Sequence, residues 1–312
     1  AGIGINGSAS FSNPVKIPLD PSNIEPVFYI AKERQPNGKS WIAKHIPGQV
    51  REDERVFPFQ GICVLTLALS PEGGRLCFMT HEGESGRVSI HMLDLDTCTE
   101  RCICTTDRDS PSEPAWHPAG QGIFFSMGED AAGGSGTGIY FINADGPADQ
   151  KPVKVLGRPG HKFLQPSFSP DGSRICFTYE GDSNNAHDRE IWIAECSKSG
   201  DAVWNPVRLT SRYGRDEYGV FLSNTRICWV SSVPDDNLRS LQCVDLSENK
   251  VACLYQGFLV GPPAVSLSGF LAFHCCPVGD QNLIQFLNAS GAPVHSISQE
   301  KYALYHPVFP SR

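Results

Sequence analysis

Short apolar runs broken by turn-forming residues fill the chain, and three stretches align with one another. They are LALSPEGGRLCFMT (67–80), PAWHPAGQGIFFSM (114–127) and PSFSPDGSRICFTY (166–179). Pro71, Pro118 and Pro170 mark the common point, 47 and 52 residues apart. Each Pro follows an apolar run and precedes a Gly-containing turn and a second apolar run. Pro presets φ for such a turn, and Gly supplies a positive φ. A third strand is predicted in each copy, at VSIHMLDLD (88–96), GIYFINADG (138–146) and REIWIAECS (189–197). A fourth leads back towards the next landmark, as in VRLTSR (207–212). Four strands in a unit of roughly 45–50 residues is the arithmetic of a propeller blade.

Two weaker copies, YGVFLSNTRICWVSS (218–232) and PPAVSLSGFLAFHCC (262–276), keep the strand–turn–strand shape without the Pro. The ends complete the pattern. YHPVFPS (305–311) reads as a first strand alone, whereas EPVFYIAKE (25–33), KSWIAKHI (39–46) and 49–56 read as later strands lacking a first. The predicted fold is all-β: a single six-bladed β-propeller of four-stranded antiparallel blades. Pairing of the N- and C-terminal segments in one composite blade closes it and removes two exposed strand edges. The predicted blades are 305–311 with 25–56, 60–107, 113–158, 164–212, 217–257 and 262–300, with 1–20 as an N-terminal extension.

Composition narrows the classes. The 312 residues include 30 Gly and 24 Pro but only 19% charged residues, which suits many turns between short strands. A formal charge of −8 with no Lys/Arg run argues against nucleic acid and against an anionic membrane surface. No apolar run approaches the length of a membrane span. The start, AGIGINGSAS, has neither the basic nor the apolar part of a signal peptide.

The segment PSFSPDGSRICFTYEGD, continued by REIWIAE, resembles the repeat of TolB-like propellers, a family pattern of P-x-F-S-P-D-G followed by two apolar strands. The resemblance is close over about 60–215 and holds by shape over 21–56 and 216–312. It implies a fold used for protein docking, as an accessory domain of peptidases, and in sugar lyases. No G-x-S-x-G elbow accompanies it.

Cys77, Cys176 and Cys228 occupy the position where that repeat has Ala, so they are expected to be unbridged packing residues in different blades. This free-thiol pattern favours a cytoplasmic location; a periplasmic or secreted one follows if a signal peptide has been removed. In CTERCIC, Cys102 and Cys104 are expected to share a strand face. Cys275 and Cys276 are expected to face opposite ways.

Long acidic loops (81–87, 128–138, 180–189, 233–239 and 276–282) fall on one face, opposite the Pro turns. In EGDSNNAHDR, Asp182, Asn184 and Asp188 are weak candidates for a divalent metal such as Ca. The channel mouth is the stronger candidate site. Segments entering first strands bring Glu113, Trp116, His117, His161, Gln165, Arg215, Asp216, Glu217, Tyr218, Tyr305 and His306 towards a concave centre. No cofactor is firmly implied.

The leading functional expectation is a monomeric, non-catalytic binding scaffold. It would engage a protein, small-molecule or glycan ligand through the long-loop face and channel mouth. The alternative, implied by the resemblance to sugar lyases, is a carbohydrate-active lyase or hydrolase. His117, His161 and His306 would then hold a metal such as Mn in the channel.

Overall fold

The computed structural model describes residues 24–34, 39–49, 53–59, 63–82, 87–106, 112–128, 136–147, 150–181, 189–198, 200, 202–211, 213–234, 238–276, 282–299 and 302–309. These hold 24 strands. The first three, β1 (Val27–Glu33), β2 (Ser40–His45) and β3 (Glu54–Phe59), join the last, β24 (Tyr302–Val308), in one sheet ordered β24-β1-β2-β3. The next sheet runs β4 (Cys63–Leu69), β5 (Arg75–Glu82), β6 (Arg87–Asp94) and β7 (Thr99–Thr106). Then come β8 (Ser112–Trp116), β9 (Gly122–Gly128), β10 (Thr137–Asn143) and β11 (Val153–Leu156). They are followed by β12 (Lys162–Phe168), β13 (Arg174–Glu180), β14 (Glu190–Cys196) and β15 (Val203–Arg208). Two further four-stranded sheets are β16 (Arg215–Ser223), β17 (Arg226–Ser232), β18 (Arg239–Asp245), β19 (Lys250–Gly257) and β20 (Ala264–Val265), β21 (Leu271–Cys275), β22 (Leu283–Leu287), β23 (Pro293–Ser298).

One feature departs from the expected set of separate four-stranded sheets. Four sheets are separate, but β8–β15 form a single eight-stranded sheet. A single parallel pairing, Thr137 with Lys162, joins β10 to β12 and fuses two antiparallel units. The C-terminal strand pairs antiparallel with β1, from Glu33–Tyr302 to Phe28–Val308.

Packing follows from strands buried on both faces, which therefore read as continuous apolar runs rather than alternating ones. On β13, Ile175 and Phe177 pack with Phe124 and Ile139 of the preceding unit. Cys176 turns the other way, onto Phe221 and Trp229 of the next unit. The remaining core clusters likewise each combine two neighbouring four-strand units, including the first with the last through Tyr29, Leu304, Phe270 and Phe286.

Cys77, Cys176 and Cys228 are free and fully buried in three different clusters. Packing alone accounts for them, so they lend no weight to a cytoplasmic location. Cys102 and Cys104 do not share a face. A bulge sets Cys104 opposite Ile90 but Cys102 opposite His91, so Cys104 enters the core while Cys102 is exposed. The predicted strand at 207–212 is displaced to Val203–Arg208. Its Pro206 is tolerated because β15 is the outermost strand of its unit.

Candidate functional site

The strands that begin each unit converge on a central cavity of about 480 Å³. Its wall takes residues from β4, β8, β12, β16, β20 and β24 alike, including Leu67, Trp116, Phe168, Phe221, Val265 and Val308. Glu113, Gln165, Tyr218 and His306 bring polar groups to this apolar wall, beside the smaller Ser167, Ser223, Asn224 and Ser266.

A common backbone device places the larger four. Each precedes a Pro or Gly, namely Pro114, Pro166, Gly219 and Pro307. Each lies where the pairing to the next strand shifts by a bulge. Pro has no N–H to donate, so the interrupted ladder costs little there. Gln165, Tyr218 and His306 take φ values of 56°, 58° and 47°. Such left-handed backbone is uncommon for non-Gly residues and is held by its surroundings. Around Gln165 the hold is visible. Its Oε1 accepts from Thr178 Oγ1 at 2.6 Å and from the Tyr218 N–H at 3.1 Å, which ties β12 to β16.

Glu113 is the one carboxylate on the described cavity wall, and its Oε2 is buried without a hydrogen-bond partner. Burial pushes its carboxyl up to about 7; the charge of Glu217 adds to this, and Arg189 opposes it. Burial also raises the Tyr218 phenol to about 12, with further contributions from Glu113 and Glu217. His306 is drawn down to about 4 by burial, so its imidazole is neutral at physiological pH.

Of the other expected site residues, Trp116 lines the cavity and the rest lie off its wall. His117 packs edge-on to Phe168, and its Nδ1 accepts the Ala119 N–H at 3.2 Å, so it serves the turn at Pro118. The indole of Trp116 does reach the cavity while its Nε1–H donates to the Ala68 carbonyl at 3.1 Å. His161 stacks on Tyr179, whose hydroxyl meets its Nδ1 at 2.5 Å. Tyr305 meets His274 edge-on, with ring centroids 5.2 Å apart. Arg215 and Asp216 start β16, and the Asp216 N–H donates to the Arg189 carbonyl. Glu217 pairs with Arg189, whose Nε also holds Glu180 Oε2 at 2.8 Å; Lys162 Nζ reaches Glu180 Oε1 at 2.6 Å. Residues Glu180 and Arg189 were missed in the sequence, although they flank the acidic loop and clamp its ends together.

The cavity wall includes Pro118, Pro170, Asn224, Leu267 and Phe309, so the cavity occupies the end of the channel bearing the Pro turns. Five residues expected at the channel mouth, Glu113, Trp116, Gln165, Tyr218 and His306, line this cavity. Asp182, Asn184 and Asp188 lie outside the described residues. His117, His161 and His306 are not brought together. Among the described residues no group of three or more His, Cys, Asp or Glu side chains is arranged to hold a metal. No described helix is long and apolar enough to cross a membrane.

Comparison with known proteins places this geometry. No family model matches the chain. A stretch of 117 residues, 36% of the chain, is 31% identical to the protein TolB homolog of Chlorobium luteolum, but spans only 23% of that protein's length. Among solved structures, TolB from Acinetobacter baumannii superposes with a TM-score of 0.72 at 18% identity, covering 94% of this chain and 67% of that one. An oligogalacturonate lyase in complex with manganese gives a TM-score of 0.53 at 12% identity over 84% of this chain and 73% of that one. At such identities the likeness concerns the fold, which hosts unrelated activities. Repeat motif, antiparallel four-strand units and central cavity agree on one architecture: the chain is a TolB-like β-propeller.

Proposed function

We propose that the chain is a binding scaffold that takes a protein segment or small ligand into its central channel, from the end bearing the Pro turns. One observation carries the reading: a concave, mostly apolar cavity with a few converging polar groups, lined by the first strand of every unit. On this reading the eight-stranded sheet counts as two blades. The propeller then has six, the first and last strands closing a composite one, and the chain acts as a monomer. The lyase alternative receives less support. The described wall carries no Lys or Arg to receive the carboxylate of a sugar acid, and the three histidines stay apart.

Leu267 tests the reading, because it is 41% exposed and lies on the cavity wall. Peptides selected from a random displayed library on the intact protein are expected to lose at least about tenfold in affinity on Leu267→Arg, a change of roughly 1.4 kcal/mol. The melting temperature should stay within a few degrees of the parent. Binders that ignore the substitution would place the binding surface elsewhere.

A further inference from the structure

We propose that the central cavity receives a protonated primary amine carrying an apolar substituent, with Glu113 as its counter-ion. The proposal rests on the cavity being a binding site, and adds the chemistry of what it binds. Glu113 is the only charged-type carboxylate on the described wall, and no Lys or Arg lies there to neutralise it. The nearby guanidinium of Arg189 is already held by Glu180 and Glu217. The other polar lining groups are committed or neutral. Gln165 Oε1 already accepts two hydrogen bonds, and buried His306 carries no charge at neutral pH.

Glu113 Oε2 is thus an acceptor without a donor in the free protein. Leaving such an atom unpaired is unfavourable, and a ligand that supplies an N–H and a positive charge relieves it. The substituent follows from the wall, where Pro114, Pro166, Pro307, Trp116 and Phe168 offer apolar surface and no further charge. An anionic ligand would face Glu113 with nothing to compensate it. Binding an ammonium favours the ionised carboxylate, so affinity is expected to fall as pH drops through the range near 7 where Glu113 gains its proton.

Calorimetry with 2-phenylethylamine and the uncharged 2-phenylethanol tests this on the intact protein. At about pH 8.5 the amine is expected to bind at least about tenfold more tightly than the alcohol. At about pH 5.5, where an alkylamine is still protonated but Glu113 is not ionised, that advantage is expected to vanish. The isosteric Glu113→Gln should abolish the advantage at the higher pH. A carboxyl NMR titration of the parent protein should show the Glu113 pKa falling when the amine is added, a readout independent of how well the variant folds. A tripeptide amide beginning with Phe, with its amino group free or acetylated, separates the sources. Tighter binding of the free peptide than of phenylethylamine identifies a peptide amino terminus; the reverse order identifies a small amine. Equal binding of amine and alcohol, or an amine preference that survives Glu113→Gln, overturns the counter-ion assignment while leaving the cavity a binding site. No binding of any probe, with no shift of Leu267 methyl signals, overturns both.

Discussion

Two buried imidazoles are expected to make this protein sensitive to acid. His274 and His306 are both held at a pKa of about 4, chiefly by loss of water, and His274 also by the charge of His306. His274 Nε2 sits 2.7 Å from the Asn282 amide nitrogen, an arrangement that suits a neutral ring with its proton on Nδ1. In the unfolded chain both rings titrate near the ordinary value of 6.5. At these two rings the native state therefore binds fewer protons between these values, so their contribution to stability rises with pH across the window, while Glu113, raised to about 7, contributes with the opposite slope. As pH falls from about 6.5 to about 4, each ring is expected to remove up to roughly 3 kcal/mol, the pair somewhat less than twice that because they interact. Urea unfolding at stepped pH checks this. His274→Gln and His306→Gln should each flatten the slope; a slope unchanged in both would assign the acid sensitivity to other groups.

At the scale of the element, the first strand of each unit does two jobs. Its apolar residues pack between neighbours, and in β8, β12, β16 and β24 its bulge sets a polar residue on the channel. The turn that follows is a tight device in itself. In Ser169–Pro170–Asp171–Gly172, the Asp171 carboxylate accepts from Ser169 Oγ and from the Ser173 N–H, and Gly172 takes a φ of 70°. A Cβ on Gly172 would lie 2.9 Å from the His117 ring, whereas one on Gly269, at a φ of 80°, would meet nothing. Gly269→Ala should therefore cost about 1 kcal/mol, the penalty of a left-handed backbone alone. Gly172→Ala should cost at least about 1 kcal/mol more, because the His117 ring is pinned by its turn. Denaturant midpoints of the two variants compare them directly, and equal losses would mean that His117 yields freely.

Much of this was legible beforehand. The Pro and Gly landmarks placed the turns, and the apolar runs placed most strands within a few residues. The bulges were not, because a register shift depends on the partner strand, which lies elsewhere in the chain. A local mark did exist: Glu113–Pro114, Gln165–Pro166 and His306–Pro307 repeat a residue-Pro pair at one position of the repeat. Cys102 and Cys104 show the same limit. Their spacing suggests one face, and only the bulge opposite His91 separates them.

For the whole molecule, the seam between first and last units is the critical joint. Tyr29, Ala31 and Leu304 share one cluster with Phe270 and Phe286, and Phe28 and Ile30 share another with Leu67 and Phe78. β24 thus lies where two neighbouring units meet and pairs with β1 along its length. Removing residues 302–312 would bare the edge of β1 and expose fully buried apolar side chains. The truncated chain is expected to lose cooperative melting and to elute as aggregates in size-exclusion chromatography. A monomeric, cooperatively melting product would show that the remaining units hold without the seam.

Local chemistry determined the turns, the strands and their recurrence, because Pro, Gly and apolar runs act on the backbone within a few residues. The same information foresaw that the two ends belong together, since a repeat that lacks a strand at one end and has one spare at the other has a single economical pairing. Which polar residues meet, and at which end of the channel, was decided only by the tertiary structure. Glu113, Gln165, Tyr218 and His306 are far apart in the chain, and their meeting depends on bulges and on the packing of one unit against the next. Burial, too, exists only in the folded molecule, and burial makes Glu113 an acceptor awaiting a donor and keeps His306 uncharged.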